Sequence, residues 1–282
     1  MDGLPRTAAS PRIRAAWPAK YWDGAEVWNG TQAPGDFDVL IFQKAYLTPQ
    51  SQQIARRYDA LKIADLCDPE HLETAKKLRL ANHLDQMDAC VVPTEALAEW
   101  FGKWLPTFVI PDRLDLEAHE VRGEDWEPYY PGQVGVCWLG GWQNYAALET
   151  MLPLLHTLGL PLVTISDRPY PNVPFVRWES VEQANAWIKR FDVVLNPQPP
   201  AGRFQYKSNN KSLTAWACGV PVAHDARELY ELLDLSPAER FALGQEQRRE
   251  VEALWDVRLS VREWQAVIEI VRAGVSGESL FT

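Results

Sequence analysis

The chain has 282 residues, 46% of them hydrophobic, which is enough core for two modest α/β domains or one large one. Its 28 Lys and Arg against 38 Asp and Glu give a formal charge of −10, which excludes a general polyanion-binding surface because phosphate neutralisation drives non-specific nucleic-acid affinity. Four widely spaced cysteines without a C-x-x-C pair, no run near the ~18 apolar residues of a membrane span, and no signal-peptide core predict buried thiols in a cytoplasmic, untranslocated chain.

In chain order, short apolar runs alternate with helix-period stretches, the pattern of βα units around a parallel sheet. Strands are predicted at 37–42, 60–65, 89–92 and 107–110, with helices at 49–58, 69–87 and 95–104 between them. The 69–87 helix has Asp68 as a candidate N-cap and Pro69 at its first position. An acidic stretch with Pro and Gly from 111 to 132 then breaks the pattern, so the first domain is expected to cover 1–115 and the second 116–282.

The second series predicts strands at 134–139, 160–165, 175–177, 192–195 and 220–223. Helices are expected at 144–158, 180–190 and from Ser208 or Asn209 to Cys218, with two or three more closing the chain. The fold class is therefore α/β, with two Rossmann-like doubly wound domains. Thirteen tryptophans read mainly as fillers of cores and seams.

The segment Lys207-Ser-Asn-Asn-Lys-Ser-Leu-Thr-Ala-Trp-Ala-Cys-Gly-Val-Pro-Val222 carries the most chemistry. A helix start here aims unpaired N–H groups and a positive dipole end at whatever precedes it, which suits an anion. Lys207 and Lys211 are four residues apart and would share a helical face, while Asn209 and Asn210 can cap the helix or bond a ligand. The same residues also suit an ordinary capped amphipathic helix with solvated lysines. Upstream, Gly140-Gly141 allows close backbone approach, or makes a simple turn, and Asn144 is a candidate cap of the helix that follows.

Asp65-Leu-Cys-Asp-Pro-Glu-His71 follows a predicted strand and places two carboxylates and an imidazole at the carboxyl edge of a parallel sheet, where active clefts form. Asp65 also suits a salt bridge. Its Asp-x-x-Asp spacing is a poor metal motif, and no metal is expected.

Several of these segments together resemble GT-B glycosyltransferases, particularly family 4, over nearly the whole chain. Met87-Asp-Ala-Cys-Val-Val-Pro-Thr-Glu-Ala-Leu97 is similar to the family's closing N-domain strand and helix, and Val109-Ile-Pro-Asp-Arg-Leu-Asp115 to its interdomain segment. Ser10-Pro-Arg-Ile-Arg14 and Phe42-Gln-Lys44 are similar to acceptor-side segments, in an N-terminal domain that is reduced because no first strand is evident before Ser10. The resemblance implies a metal-independent, retaining hexosyltransferase that moves a sugar from a nucleoside-diphosphate sugar to a hydroxyl acceptor such as a glycan or small molecule.

On that resemblance, Gly140, Gly141, Asn144, Lys207, Asn209, Asn210 and Lys211 hold the donor, Trp178 flanks its base, and Asp68, with Asp65 or His71 as substitutes, orients or deprotonates the acceptor. One departure is large. Tyr206 and Thr214 stand where the family carries its Glu-x7-Glu pair. Two rival readings follow: a phage-type DNA glycosyltransferase acting on a hydroxymethylated base through Arg6, Arg12, Arg14 and Lys20, and a noncatalytic nucleotide-sugar-binding module.

Overall fold

The computed structural model describes residues 9–28, 35–44, 49–199 and 202–276. It separates into two compact units: unit 1 comprises Met1–Asp112, Ala201–Ser208 and Val257–Thr282, and unit 2 comprises Arg113–Pro200 and Asn209–Asp256. The single boundary expected at 115/116 therefore becomes a division in which two later segments return to unit 1.

Unit 1 begins with helical turns α1 (Ala9–Pro11) and α2 (Trp17–Tyr21), joined by a π-helical turn over Arg12–Ala16. It continues through β1 (Val39–Gln43), α3 (Pro49–Arg57), β2 (Leu61–Asp65), α4 (Thr74–Leu84), β3 (Ala89–Val92), α5 (Glu95–Phe101) and β4 (Thr107–Val109). The four strands are parallel in the order β1-β2-β3-β4, which leaves β1 at one edge.

All four residues of β3 are buried because both faces of the sheet are covered, the usual reason a parallel strand reads as an unbroken apolar run. Leu40, Phe42, Ala64, Cys90 and Val92 pack with Ile54, Leu80 and Phe101 on one face. Ile63, Ala89 and Val91 pack with Trp264, Val267 and Ile268 of the C-terminal helix on the other.

The predicted 69–87 helix is replaced by a 3-10 turn over Glu70–Leu72 and by α4, which starts only at Thr74. Pro69 has ψ 56°, outside the helical region, so Asp68 caps no helix there.

Unit 2 contains β5 (Val136–Leu139), α6 (Tyr145–Glu149), α7 (Leu152–Leu158), β6 (Leu162–Ser166), β7 (Phe175–Arg177), α8 (Val181–Ile188), β8 (Val193–Leu195), α9 (Asn210–Ala217), β9 (Val222–Ala223), α10 (Ala226–Asp234) and α11 (Pro237–Leu254). The single helix expected at 144–158 is split, with Pro153 in the first turn of α7, where its missing N–H costs nothing. The sheet is parallel in the order β7-β6-β5-β8-β9. Gly219, at φ +72°, ends α9 in the left-handed conformation that a side chain would strain. The remaining helix, α12 (Val257–Ser276), belongs to unit 1.

All four cysteines are free and buried. Among the described residues no helix is long and apolar enough to cross a membrane.

Candidate donor and acceptor sites

In unit 2 the strand order reverses direction at β5, whose neighbours are β6 and β8, so the connections after β5 and β8 lead in opposite directions along the sheet, the switch point at whose carboxyl ends open α/β sheets bind ligands. Gly140 and Gly141 follow β5 at this point. A Cβ on Gly140 would lie 2.6 Å from the Trp138 ring and 3.1 Å from Lys211 Nζ, so this position admits only glycine without displacement. The loop is held by Trp142 N–H donating to Asp167 Oδ1 at 2.8 Å and by the Arg168 guanidinium over the Trp142 ring at 4.4 Å. Asn144 occupies the N-cap position of α6 without a side-chain cap bond.

The amide-rich segment meets the same sheet edge from the other side. Helix α9 begins at Asn210, one or two residues later than predicted, and Asn209 at its N-cap makes no side-chain cap bond. Lys211 Nζ sits 5.3 Å from the Trp138 ring centroid, within cation–π range. The structure therefore gathers Gly140, Lys211 and the first turn of α9. Trp178 packs half-buried against the core with Val176 and Ile165, as a seam filler.

Lys207 lies before α9, not on it, and belongs to unit 1, so the shared helical face expected for Lys207 and Lys211 does not form. The short 3-10 run Gly202–Tyr206 leads into it, and its ammonium pairs with Asp68.

Asp68 is gripped from both sides, by Lys207 on one oxygen and Lys44 on the other. Burial alone would raise its pKa, but the two ammonium groups outweigh burial and hold it below the ordinary carboxylate range. Lys44 has φ +51°, an uncommon conformation for a residue with a side chain, placed directly after β1.

Asp65, at the end of β2, is fully buried. Arg14 contacts it with Nε at 3.0 Å and Nη2 at 2.6 Å, while Nη1 donates to the Ile110 carbonyl at 2.5 Å and to Asp112 at 3.2 Å. Ser208 Oγ completes the cluster on Asp112 at 2.5 Å. Burial by itself would lower the pKa of Arg14, but Asp65 and Asp112 raise it above its ordinary value; burial raises that of Asp65 against the pull of Arg14. Asp65 is thus the salt-bridge partner that the sequence also allowed.

His71 is not brought to this cluster. It stacks on Trp100 at 4.2 Å, meets Tyr206 edge-on at 5.0 Å, and its ring nitrogens have no hydrogen-bond partner among the described residues. Burial, with a smaller contribution from Lys77, lowers its pKa.

Of the basic N-terminal residues of the DNA reading, Lys20 is exposed and Arg12 half-buried. Arg14 is buried, Arg12 lies 5.2 Å from the Trp17 ring and Lys20 4.7 Å from the Tyr21 ring, while Arg6 lies outside the described residues.

Sequence reasoning missed one network entirely. Asn196 Nδ2 donates to Ser212 Oγ at 2.8 Å, Ser212 Oγ lies 2.8 Å from His224 Nε2, and His224 Nδ1 lies 2.7 Å from Glu228 Oε2. A carboxylate only accepts, so Nδ1 carries the proton toward Glu228. The i,i+4 spacing of His224 and Glu228 was the available signal; the link to Ser212 and Asn196 required the β8, α9 and β9 ends to meet.

Two Rossmann-like parallel α/β units define the GT-B glycosyltransferase architecture, and this chain has that fold. It superimposes on HepE of Anabaena in complex with UDP-glucose with a TM-score of 0.60 and 11% identity over 82% of this chain and 78% of that one. It likewise matches TarM, with a TM-score of 0.59 and 10% identity over 81% of this chain but only 54% of TarM, so it spans about half of that protein. A UDP-forming α,α-trehalose-phosphate synthase from Burkholderia xenovorans gives a TM-score of 0.56 and 11% identity over 83% of this chain and 73% of that one. No protein-family model and no curated protein sequence matches the chain.

Proposed function

We propose that this chain is a glycosyltransferase that moves a sugar from a nucleoside-diphosphate sugar to a hydroxyl acceptor, with retention at the anomeric carbon and no required metal. The observation that carries this reading is Lys211, whose ammonium lies over Trp138 beside Gly140 at the sheet edge where the strand order reverses. The fold and the UDP-glucose complex of HepE add support for the donor class.

A departing diphosphate bears more charge in the transition state than in the bound donor, so a fixed cation and helix N–H groups favour the transition state over the ground state. Lys211, Asn210 and the Gly140-Gly141 backbone take that role. Asp68 acts on the acceptor side as an ionised group that orients a hydroxyl; its lowered pKa suits it poorly to deprotonating one, since an efficient general base titrates near the working pH. Lys44 and Lys207 keep it ionised.

The test is thermal shift against UDP-, GDP-, ADP-, CMP- and dTDP-sugars. A donor at 100 times its dissociation constant stabilises the native state by about 2.7 kcal/mol. A selective shift that weakens by about 10- to 100-fold in affinity for Lys211→Ala is expected from loss of a charge-assisted contact. No shift with any of these sugars overturns the reading, as would a strict metal requirement for the metal-independence part of it.

A further inference from the structure

Strand β1 lies at the edge of its sheet, with no strand paired to its outer side among the described residues. Leu61 N–H donates to the Asp38 carbonyl and Lys44 N–H to the Asp65 carbonyl, each at 3.0 Å, so the even-numbered residues of this stretch turn their backbone groups toward β2. Backbone groups alternate along a strand, so those of Val39, Ile41 and Gln43 point outward, about 6.6 Å apart. Among the described residues no backbone group bonds that edge. The strand reads Val-Leu-Ile-Phe-Gln, without the lysine, proline or inward charge that normally guards an exposed edge.

A cavity of about 950 Å³ lies along this edge. Its lining comes from both faces of the sheet, Trp264 and Ile268 from the α12 side and Ile54 from the α3 side, which suits the alternating side chains of an added strand. Its charge is acidic. Arg14 is committed to Asp65 and Asp112, and Arg272 to Glu269 at 3.1 Å, which leaves exposed Asp23, Glu26 and Asp38 in excess. At its carboxyl end β1 runs into Lys44, whose ammonium holds Asp68.

We propose that the β1 edge and this cavity bind an extended, basic polypeptide segment by strand addition and present one of its seryl or threonyl hydroxyls as the acceptor. The proposal rests on the glycosyl-transfer reading above. In the transfer, the hydroxyl oxygen bonds to the anomeric carbon, the bond from that carbon to the β-phosphate oxygen breaks, and the nucleoside diphosphate departs with the electron pair and takes up the hydroxyl proton. A small sugar or an alkyl glycoside would leave the outward ladder of Val39, Ile41 and Gln43 unused.

The probes are three fluorescein-labelled basic peptides of about ten residues that alternate Val with Ser or Thr between terminal lysines, and twins N-methylated at alternate residues. Binding is read by anisotropy without donor, on wild type and on Ile41→Pro, which removes an outward N–H but no bond to β2. Expected are binding of a parent peptide, weakening of at least about tenfold for its twin and for Ile41→Pro, an unchanged donor-induced thermal shift in that variant, and gain of one sugar mass by the peptide with donor present.

Equal binding of parent and twin, or no binding of any peptide, overturns the proposal, and the twin comparison needs no variant to fold. Sugar transfer to alkyl glycosides that is indifferent to Ile41→Pro, with the peptides inert, overturns it in favour of a small acceptor. Peptide binding without any nucleotide-sugar shift instead fails the glycosyl-transfer reading and removes the acceptor role with it.

Discussion

The Arg14 guanidinium lies against the Asp65 carboxylate, Nη2 to Oδ1 at 2.6 Å, with both side chains almost completely removed from solvent. Removing one member of such a pair leaves the other as an uncompensated buried charge, a loss of about 3–5 kcal/mol. Arg14→Ala is therefore expected to lower stability by that order in urea denaturation monitored by tryptophan fluorescence. Arg14→Lys should recover only part, because an ammonium cannot reproduce the two-pronged contact with Asp65 while also reaching Ile110 and Asp112.

Asp68 links stability to acid pH. Its pKa in the folded state lies below its unfolded value, so its contribution is present above the unfolded pKa of about 3.9 and is lost as pH falls through the folded value. Wild type should thus lose stability below about pH 4 more steeply than Asp68→Asn, which has no carboxylate to protonate there. The check is the urea midpoint of both proteins from pH 6 to 2.5. Parallel acid limbs would refute the double ion pair.

Gly140→Ala should disturb the loop after β5, to which the proposed function assigns the donor. The added methyl would sit 2.6 Å from the fully buried Trp138 ring, so ring or loop must move, at about 1–3 kcal/mol. Because Lys211 rests over that ring, donor affinity should fall in calorimetric titration even where the variant remains folded.

Glu228→Gln should act on the His224 network without emptying it. The neutral amide weakens the contact at Nδ1 and unsettles the orientation of an imidazole that also meets Ser212 in the first turn of α9. The expected result is a modest loss of stability, about 0.5–2 kcal/mol, and broadened or shifted His224 ring resonances in NMR. A ring signal identical to wild type would show that Glu228 does not orient it.

Much of the fold was legible because its signals are local. Ala89–Val92 is a strand as predicted, since four apolar residues bounded by turn signals can be buried on both faces only in a covered parallel sheet. Thr94 caps α5 by accepting from Leu97 N–H at 3.4 Å, a bond confined to one turn of chain. By contrast, Pro69 was read as a helix start, and the chain instead turns once before α4 begins. A proline sets its own φ but not its ψ, and the two residues that follow it, Glu70 and His71, are buried in the 3-10 turn.

By itself the sequence determined the order of strands and helices, the parallel α/β class, and the candidacy of Gly140, Lys211, Asp65 and Asp68, because apolar period, turn residues and helix-start chemistry act over a few neighbours. Tertiary structure alone decided which charges meet: Arg14 reaches Asp65 across 51 residues, and Lys207 reaches Asp68 across 139. It also decided that α12 completes unit 1 and that β1 is the edge strand of its sheet. Ion pairs and edges depend on which elements become neighbours in space, and that is fixed by the sum of burial over whole faces rather than by any local stretch of chain.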